Sequence, residues 1–147
     1  MLTTRYFLKA GRELEKLYTR SITQVSDAYH LTKIEVDILL FLYNNPEYDT
    51  ARDIVELRGI AKSYVSKAVD LLINKGFLQA EMDTKDRRVS HLTILASSLP
   101  IVKEAKLAQD QLIQTLYQGI SEEEQERLEI IFTKMARNVK EALSYDF

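Results

Sequence analysis

Apolar positions recur at helical spacing along most of this chain and switch to strand-like alternation over one short stretch. From Thr4 to Tyr29, Phe7, Leu8, Leu14, Leu17, Tyr18, Ile22 and Val25 keep a rough helical period, with Gly11 as an interior exception. The surface helix of a small monomer seldom needs such length, so part of this apolar face is expected to meet another subunit. Leu31-Thr32-x-x-Glu35 then reads as a capping box. The helix it opens carries Ile34, Val36, Ile38, Leu39, Leu40, Phe41 and Leu42, apolar nearly all round, and is predicted to lie at the centre of the core. Asn44-Asn45-Pro46 stops it.

The stretch from Thr50 to Ile94 has a different grammar. Thr50, with Asp53 three residues on, opens a short helix on which Ile54 and Leu57 are expected to form an apolar pair. Arg58-Gly59-Ile60-Ala61 breaks the pattern, and Gly59 can adopt the left-handed backbone that lets the next helix leave at a steep angle. Lys62 to Lys75 then places Val65, Ala68, Val69, Leu72 and Ile73 on one buried face. By subtraction the outward face holds Lys62, Ser63, Ser66, Lys67 and Asp70, with Tyr64 at its shoulder. Gly76 ends the helix, and Phe77–Met82 and Val89–Ile94 read as two short strands with Leu92 and Ile94 toward the core. The polar tip Asp83-Thr84-Lys85-Asp86-Arg87-Arg88 between them has the form of a wing beside a helix-turn-helix.

Beyond the wing, Leu99 to Tyr117 is predicted helical, with Pro100 in its first turn and Gly119 past its end. Ser121-Glu122-Glu123-Glu124 caps and charges a final helix whose Leu128, Ile131, Phe132, Met135, Val139 and Leu143 form one stripe. Little chain follows to cover that stripe, so a second copy is its expected cover. The predicted class is mainly α with a small β-wing. Residues 1–147 form a single domain in this reading, with a winged helix-turn-helix over 31–95 and helical dimerisation regions at 1–30 and 96–147. No repeat, low-complexity segment or flexible linker interrupts it.

Charge refines the picture. The whole chain of 147 residues has a net charge of −2, which alone argues against a nucleic-acid partner. From Arg52 to His91, however, eight Lys/Arg face six Asp/Glu, giving +2, which leaves twelve against sixteen, or −4, elsewhere. Arg58, Lys62 and Lys67 fall in a segment with no acid at all. With 46% hydrophobic residues the chain is not disordered, and with no cysteine it has neither disulfides nor thiolate chemistry. No segment resembles a signal peptide, and the longest apolar run, Ile38 to Tyr43, is too short to span a bilayer. A soluble, cytoplasmic protein with no membrane partner is expected.

Hydroxyl and basic side chains at the start of a helix can donate to phosphates and to base edges in a major groove, which makes Lys62, Ser63, Tyr64, Ser66 and Lys67 candidate DNA contacts. Arg87 and Arg88 suit the negative potential of a narrow minor groove, and Asp86 is placed to orient an arginine. The bland alternatives are an ordinary solvated helix face and a hairpin tip kept soluble by charge. His30 and His91 have no metal-ligand spacing around them and read as structural or incidental, His91 lying on a wing strand near phosphate. No catalytic Ser/His/Asp set, phosphate loop or carboxylate pair can be assembled. Neither an enzyme activity nor a cofactor or metal is expected.

The run Leu57-Arg58-Gly59-Ile60-Ala61-Lys62-Ser63, continuing through Leu72-Ile73-Asn74-Lys75-Gly76-Phe77-Leu78 to Asp86-Arg87-Arg88, resembles the MarR family of multiple-antibiotic-resistance-type transcriptional regulators. The Asp-x-Arg wing after a Lys-Gly-Phe-Leu helix end is its more specific part. The resemblance implies an obligate homodimer binding a pseudo-palindromic operator, generally as a repressor, and often releasing it when a small-molecule effector binds. Ser63, Ser66 and Lys67 match the family's base-reading and phosphate-contacting positions, and Arg88 its minor-groove arginine. It also implies a ligand pocket between dimer body and reading head, where Tyr18, Tyr29, His30 and Tyr43 would supply polar contacts; the preferred reading of the same residues is half-buried aromatics at helix junctions. Two departures stand out: Ala61 at the recognition-helix N-cap, and Leu95 where the family has Thr, leaving Ser97 or Ser98 to cap the next helix. The alternative function is a dimeric interaction module that keeps this fold without binding DNA.

Overall fold

A computed structural model describes residues 1–145. In chain order it contains α1 (Thr4–Ala28), α2 (Lys33–Asn44), α3 (Ala51–Arg58), α4 (Lys62–Asn74), β1 (Leu78–Met82), β2 (Ser90–Ile94), a 3-10 turn (Ala96–Ser98), α5 (Leu99–Leu116) and α6 (Glu122–Ser144). The class is mainly α with a two-stranded antiparallel wing, as the apolar pattern predicts. Two compact units are distinguished, Met1–Leu112 and a second beginning at Ile113, so the division falls inside α5.

The first unit is built around α2. Every residue from Glu35 to Leu42 is buried, and Val36, Ile38 and Leu39 are wholly inaccessible. Around it lie Ile22 and Val25 of α1, Ile54 of α3, Val65, Ala68, Val69 and Leu72 of α4, Leu78 and Leu92 of the wing, and Ile101, Val102 and Ala105 of α5. Burying side chains of this size stabilises by about 1.5–3 kcal/mol each. Only the C-terminal part of α1 joins this core; Phe7, Leu8 and Leu14 are exposed.

Local signals set the boundaries. Thr32 and Glu35 form the predicted capping box, as do Thr50 with Asp53 and Ser121 with Glu124. At the end of α1 the Leu31 amide donates to the Ser26 carbonyl at 2.8 Å and the His30 amide to Asp27 at 3.3 Å, the paired bonds of a Schellman ending. The end of α4 repeats it, Phe77 to Leu72 at 2.9 Å and Gly76 to Ile73 at 3.0 Å. Gly76 takes the required left-handed backbone at φ 78°, whereas in α1 that position is His30, at φ 55°.

The wing pairs Leu78 with Ile94, Ala80 with Leu92 and Met82 with Ser90. Phe77 and Val89, expected inside the strands, lie just outside them, although their carbonyls still accept from the Leu95 and Asp83 amides at 2.9 Å. Two further expectations are corrected. Leu57 does not join Ile54 in the core: one residue before the end of α3 it is 55% exposed, while Val55 and Ile60 are the partly buried neighbours that pack against the core. Neither Ser97 nor Ser98 caps α5 through its hydroxyl; Ser97 donates to the Gly76 carbonyl at 2.6 Å and Ser98 to Leu95 at 2.7 Å, so these side chains anchor the 3-10 turn.

The second unit contains α6, a helix of 23 residues none of which is buried. Leu128, Ile131, Phe132, Met135, Val139 and Leu143 are all exposed. Among the described residues, no helix is long and apolar enough to cross a membrane.

Candidate nucleic-acid interface

Gly59, at φ 65° and ψ 28°, closes α3 and turns the chain into α4. Ala61 occupies the N-cap and makes no side-chain bond, so only its carbonyl organises the first turn, accepting from Tyr64 at 3.0 Å and Val65 at 3.1 Å. An Ala there leaves α4 about 1 kcal/mol short of a Ser or Thr cap. With Val65, Ala68, Val69 and Leu72 turned into the core, the opposite face is fixed outward.

On that face Lys62, Ser63, Tyr64, Ser66, Lys67 and Asp70 are all exposed, Tyr64 at 60%. Among the described residues, the side chains of Lys62, Ser63, Ser66, Lys67 and Arg87 have no hydrogen-bonding or ionic partner within the chain. A row of donors with no internal obligation is chemically suited to an external acceptor-rich surface.

The cations at the two ends of the α3–α4 unit behave differently. Arg58, the last residue of α3, reaches the Asp37 carboxylate at 3.2 Å, and Lys75, just past α4, reaches Glu35 at 2.8 Å. Both acids lie on α2 and are 2% and 1% exposed respectively. A buried carboxylate without partners is severely destabilising. Asp37 also accepts from the Tyr18 hydroxyl at 2.6 Å and Lys33 at 3.0 Å, and Glu35 from the Thr32 amide at 3.1 Å. Burial, followed by the bond to Asp37, pushes the Tyr18 hydroxyl up to about 12. Arg58 therefore belongs to the fold, not to the free basic patch in which charge counting put it. The missed signal was Glu35 and Asp37 standing inside an otherwise apolar helix, which requires cations from elsewhere.

In the wing, Asp86 holds Arg88 as its spacing predicts, accepting from the guanidinium Nε at 3.1 Å, from its terminal nitrogen at 3.3 Å and from the Arg88 amide at 3.0 Å. These contacts, the guanidinium's first, lower the Asp86 pKa. The Arg88 side chain is still 90% exposed, presented to solvent by its base. Asp83 orders the tip by accepting from the Lys85 and Asp86 amides at 2.9 and 2.8 Å.

His91 is the residue that sequence reasoning undervalued. Its Nδ1 lies 2.8 Å from Asp49 Oδ1 and its Nε2 2.8 Å from Asp83 Oδ1. Asp49 first, then Asp83, raises its pKa to about 9, and His91 together with the tip amides lowers Asp83 to about 2. These partners come from segments far apart in sequence, so no local motif announced them.

The four residues considered for a ligand pocket are placed as follows. Tyr18 is bonded to Asp37, and Tyr29 donates to Glu104 at 2.8 Å. His30 occupies the turn after α1 and gives its carbonyl to Lys75 at 3.4 Å, and Tyr43 is 43% exposed near the end of α2. No hydrogen bond joins any two of them among the described residues. Nor, among those residues, is there a cluster of His, Asp or Glu able to hold a metal ion.

Comparison with known proteins adds to this geometry. Residues 30–89 match the model of the MarR family, a span running from the end of α1 through the wing tip. The chain is 28% identical over 128 residues to the uncharacterized HTH-type transcriptional regulator YwaE of Bacillus subtilis, covering 87% of this chain and 74% of that protein. Among solved structures it resembles an S. aureus MepR–DNA complex at 21% identity and a TM-score of 0.75, covering 93% of this chain and 96% of that one. S. aureus MepR in its DNA-binding conformation gives 23% identity and a TM-score of 0.79 over 94% and 99% of the two chains. A MarR protein from Peptoclostridium difficile gives 19% and 0.79 over 97% and 92%. At these identities the structural likeness is one of fold.

Proposed function

We propose that the chain is a MarR-family transcriptional regulator, acting as a repressor, that binds a pseudo-palindromic operator as a homodimer; the match of residues 30–89 to that family's model and the likeness to an HTH-type regulator support this reading. The observation that carries the reading is the outward face of α4, where Lys62, Ser63, Ser66 and Lys67 stand exposed and unpartnered beside an arginine held ready on the wing. Lys62, Ser63, Tyr64, Ser66 and Lys67 enter the major groove in this reading, and Arg87 and Arg88 approach the minor groove.

Support for two copies comes from α6. Its apolar stripe of Leu128, Ile131, Phe132, Met135, Val139 and Leu143 is exposed along one face, and clustered exposed apolar side chains of this kind mark interaction surfaces. Residues 31–95 act as the reading head, flanked by dimerisation regions. Two-fold symmetry would set the recognition helices about 34–36 Å apart, one turn of duplex. A small ligand would release the operator only through unequal affinity for different head arrangements. At Tyr18 or Tyr29 it would have to take the place of Asp37 or Glu104.

Binding to duplexes selected by the protein from genomic fragments tests the reading. Affinity should fall steeply between low and physiological salt through counterion release. Lys67→Ala should weaken all sequences alike and flatten the salt slope by about one, whereas Arg88→Ala should lose about 1–3 kcal/mol of binding. If both variants bind as wild type does, the contact assignment fails; if the wild type retains no duplex even at low salt, the fold serves instead as a protein-interaction scaffold.

A further inference from the structure

His91 sits where β2 meets the segment joining α2 to α3. The Leu92 amide donates to the Asp49 carbonyl at 2.7 Å, and Thr50 and His91 form an isolated antiparallel bridge. The imidazole is thus enclosed by two acids from different segments, Asp49 from the joining segment and Asp83 from the wing tip, with Glu81 of β1 opposite in register. An ionised carboxylate only accepts hydrogen bonds. Two contacts of 2.8 Å to two carboxylates therefore need a proton on each ring nitrogen. A neutral ring would serve one acid and turn a lone pair on the other.

From His91 a continuous series of contacts leads to the wing arginine. Asp83 accepts from His91 and from the Asp86 amide, and the Asp86 carboxylate grips both the amide and guanidinium of Arg88. We propose that charged His91 is the positioning residue of the wing, tying its tip to the α2–α3 segment so that Asp86 presents Arg88 at a fixed place on the duplex. This rests on the DNA-binding reading above and adds to it a residue that touches no nucleic acid.

The geometry has a pH signature. With its pKa raised to about 9, the tie is fully present below the unperturbed histidine value of about 6.5 and disappears as pH rises through about 9. Asp83, lowered to about 2, keeps its charge throughout that interval. Free carboxylates are already ionised there, and the comparison with His91→Gln separates the contribution of His91 from that of any other group titrating between pH 7 and 9.5.

The test measures affinity for a duplex selected by the wild type from a random library, at fixed ionic strength across that window. Proteins compared are the wild type, His91→Gln, Arg88→Ala, the double variant and Asp83→Asn, each shown to melt cooperatively. Wild-type affinity should fall by about fivefold or more as pH rises, the lower end of what an arginine–base contact carries. His91→Gln should begin at the reduced affinity and show no such fall. In the Arg88→Ala background the same change should matter by less than about twofold, since the two act through one contact. Asp83→Asn removes one of the charges that hold the proton and should move the midpoint of the fall to lower pH. A wild-type pH profile in His91→Gln, full additivity with Arg88→Ala, or an unmoved midpoint in Asp83→Asn overturns the positioning role. A wild type that binds no duplex at all overturns the DNA-binding reading, and the proposal with it.

Discussion

α2 and α6 both carry many apolar residues, and the fold treats them in opposite ways. α2 is enclosed from Glu35 to Leu42, to the extent that two carboxylates were buried with it and had to be neutralised by Lys75 and Arg58. α6 has a well-spaced apolar stripe and not one buried residue. The arrangement of apolar residues therefore implies different partners. An all-round apolar helix is covered by its own chain, whereas the one-sided stripe left open here is the surface that the proposed second copy would cover.

The sharpest test of that contrast is truncation. Leu39→Ala, at a position with no solvent exposure, should cost about 2–5 kcal/mol in chemical denaturation. Val139→Ala on α6, measured at protein concentrations low enough to separate subunits, should change stability by less than about 0.5 kcal/mol. Equal losses would erase the distinction. Next comes a charge in the stripe: Phe132→Glu should cost association about 3 kcal/mol by desolvating a carboxylate, shift the mass in analytical ultracentrifugation from two copies to one, and abolish the concentration dependence of melting. Retention of the dimer would send the search for its interface elsewhere. The smallest effect concerns α4, which lacks the capping box that both α2 and α6 possess. Ala61→Ser should raise stability by about 1 kcal/mol and with it the melting temperature; a neutral result would mean that the first turn is satisfied by other means.

Much of this was legible from residue order because it is governed by local rules. The capping boxes at Thr32, Thr50 and Ser121, the left-handed Gly59 and the inward face of α4 each depend on residues within about two turns of one another. So does the Asp86–Arg88 pair. What escaped was non-local. Glu35 and Lys75 are 40 positions apart, and His91 and Asp49 are 42 apart. Leu57 failed for another reason: it had the right spacing, but one residue before the end of α3 it is left exposed. For Ser97 and Ser98 the residue type suited a cap, but a distant carbonyl, Gly76, took the Ser97 hydroxyl and a local one, Leu95, that of Ser98.

One feature of α2 has a mechanical corollary. Glu35 and Asp37 are two residues apart, and through Lys75 and Arg58 they grip the far end of α4 and the near end of the turn preceding it. Such a two-handed hold resists pitch: tilting α4 pulls Lys75 from Glu35 or loosens Arg58 from Asp37, which keeps Lys33 as a second cation. In the proposed homodimer each head should therefore swing as a stiff paddle, with any adjustment of the span between the two made at their hinges.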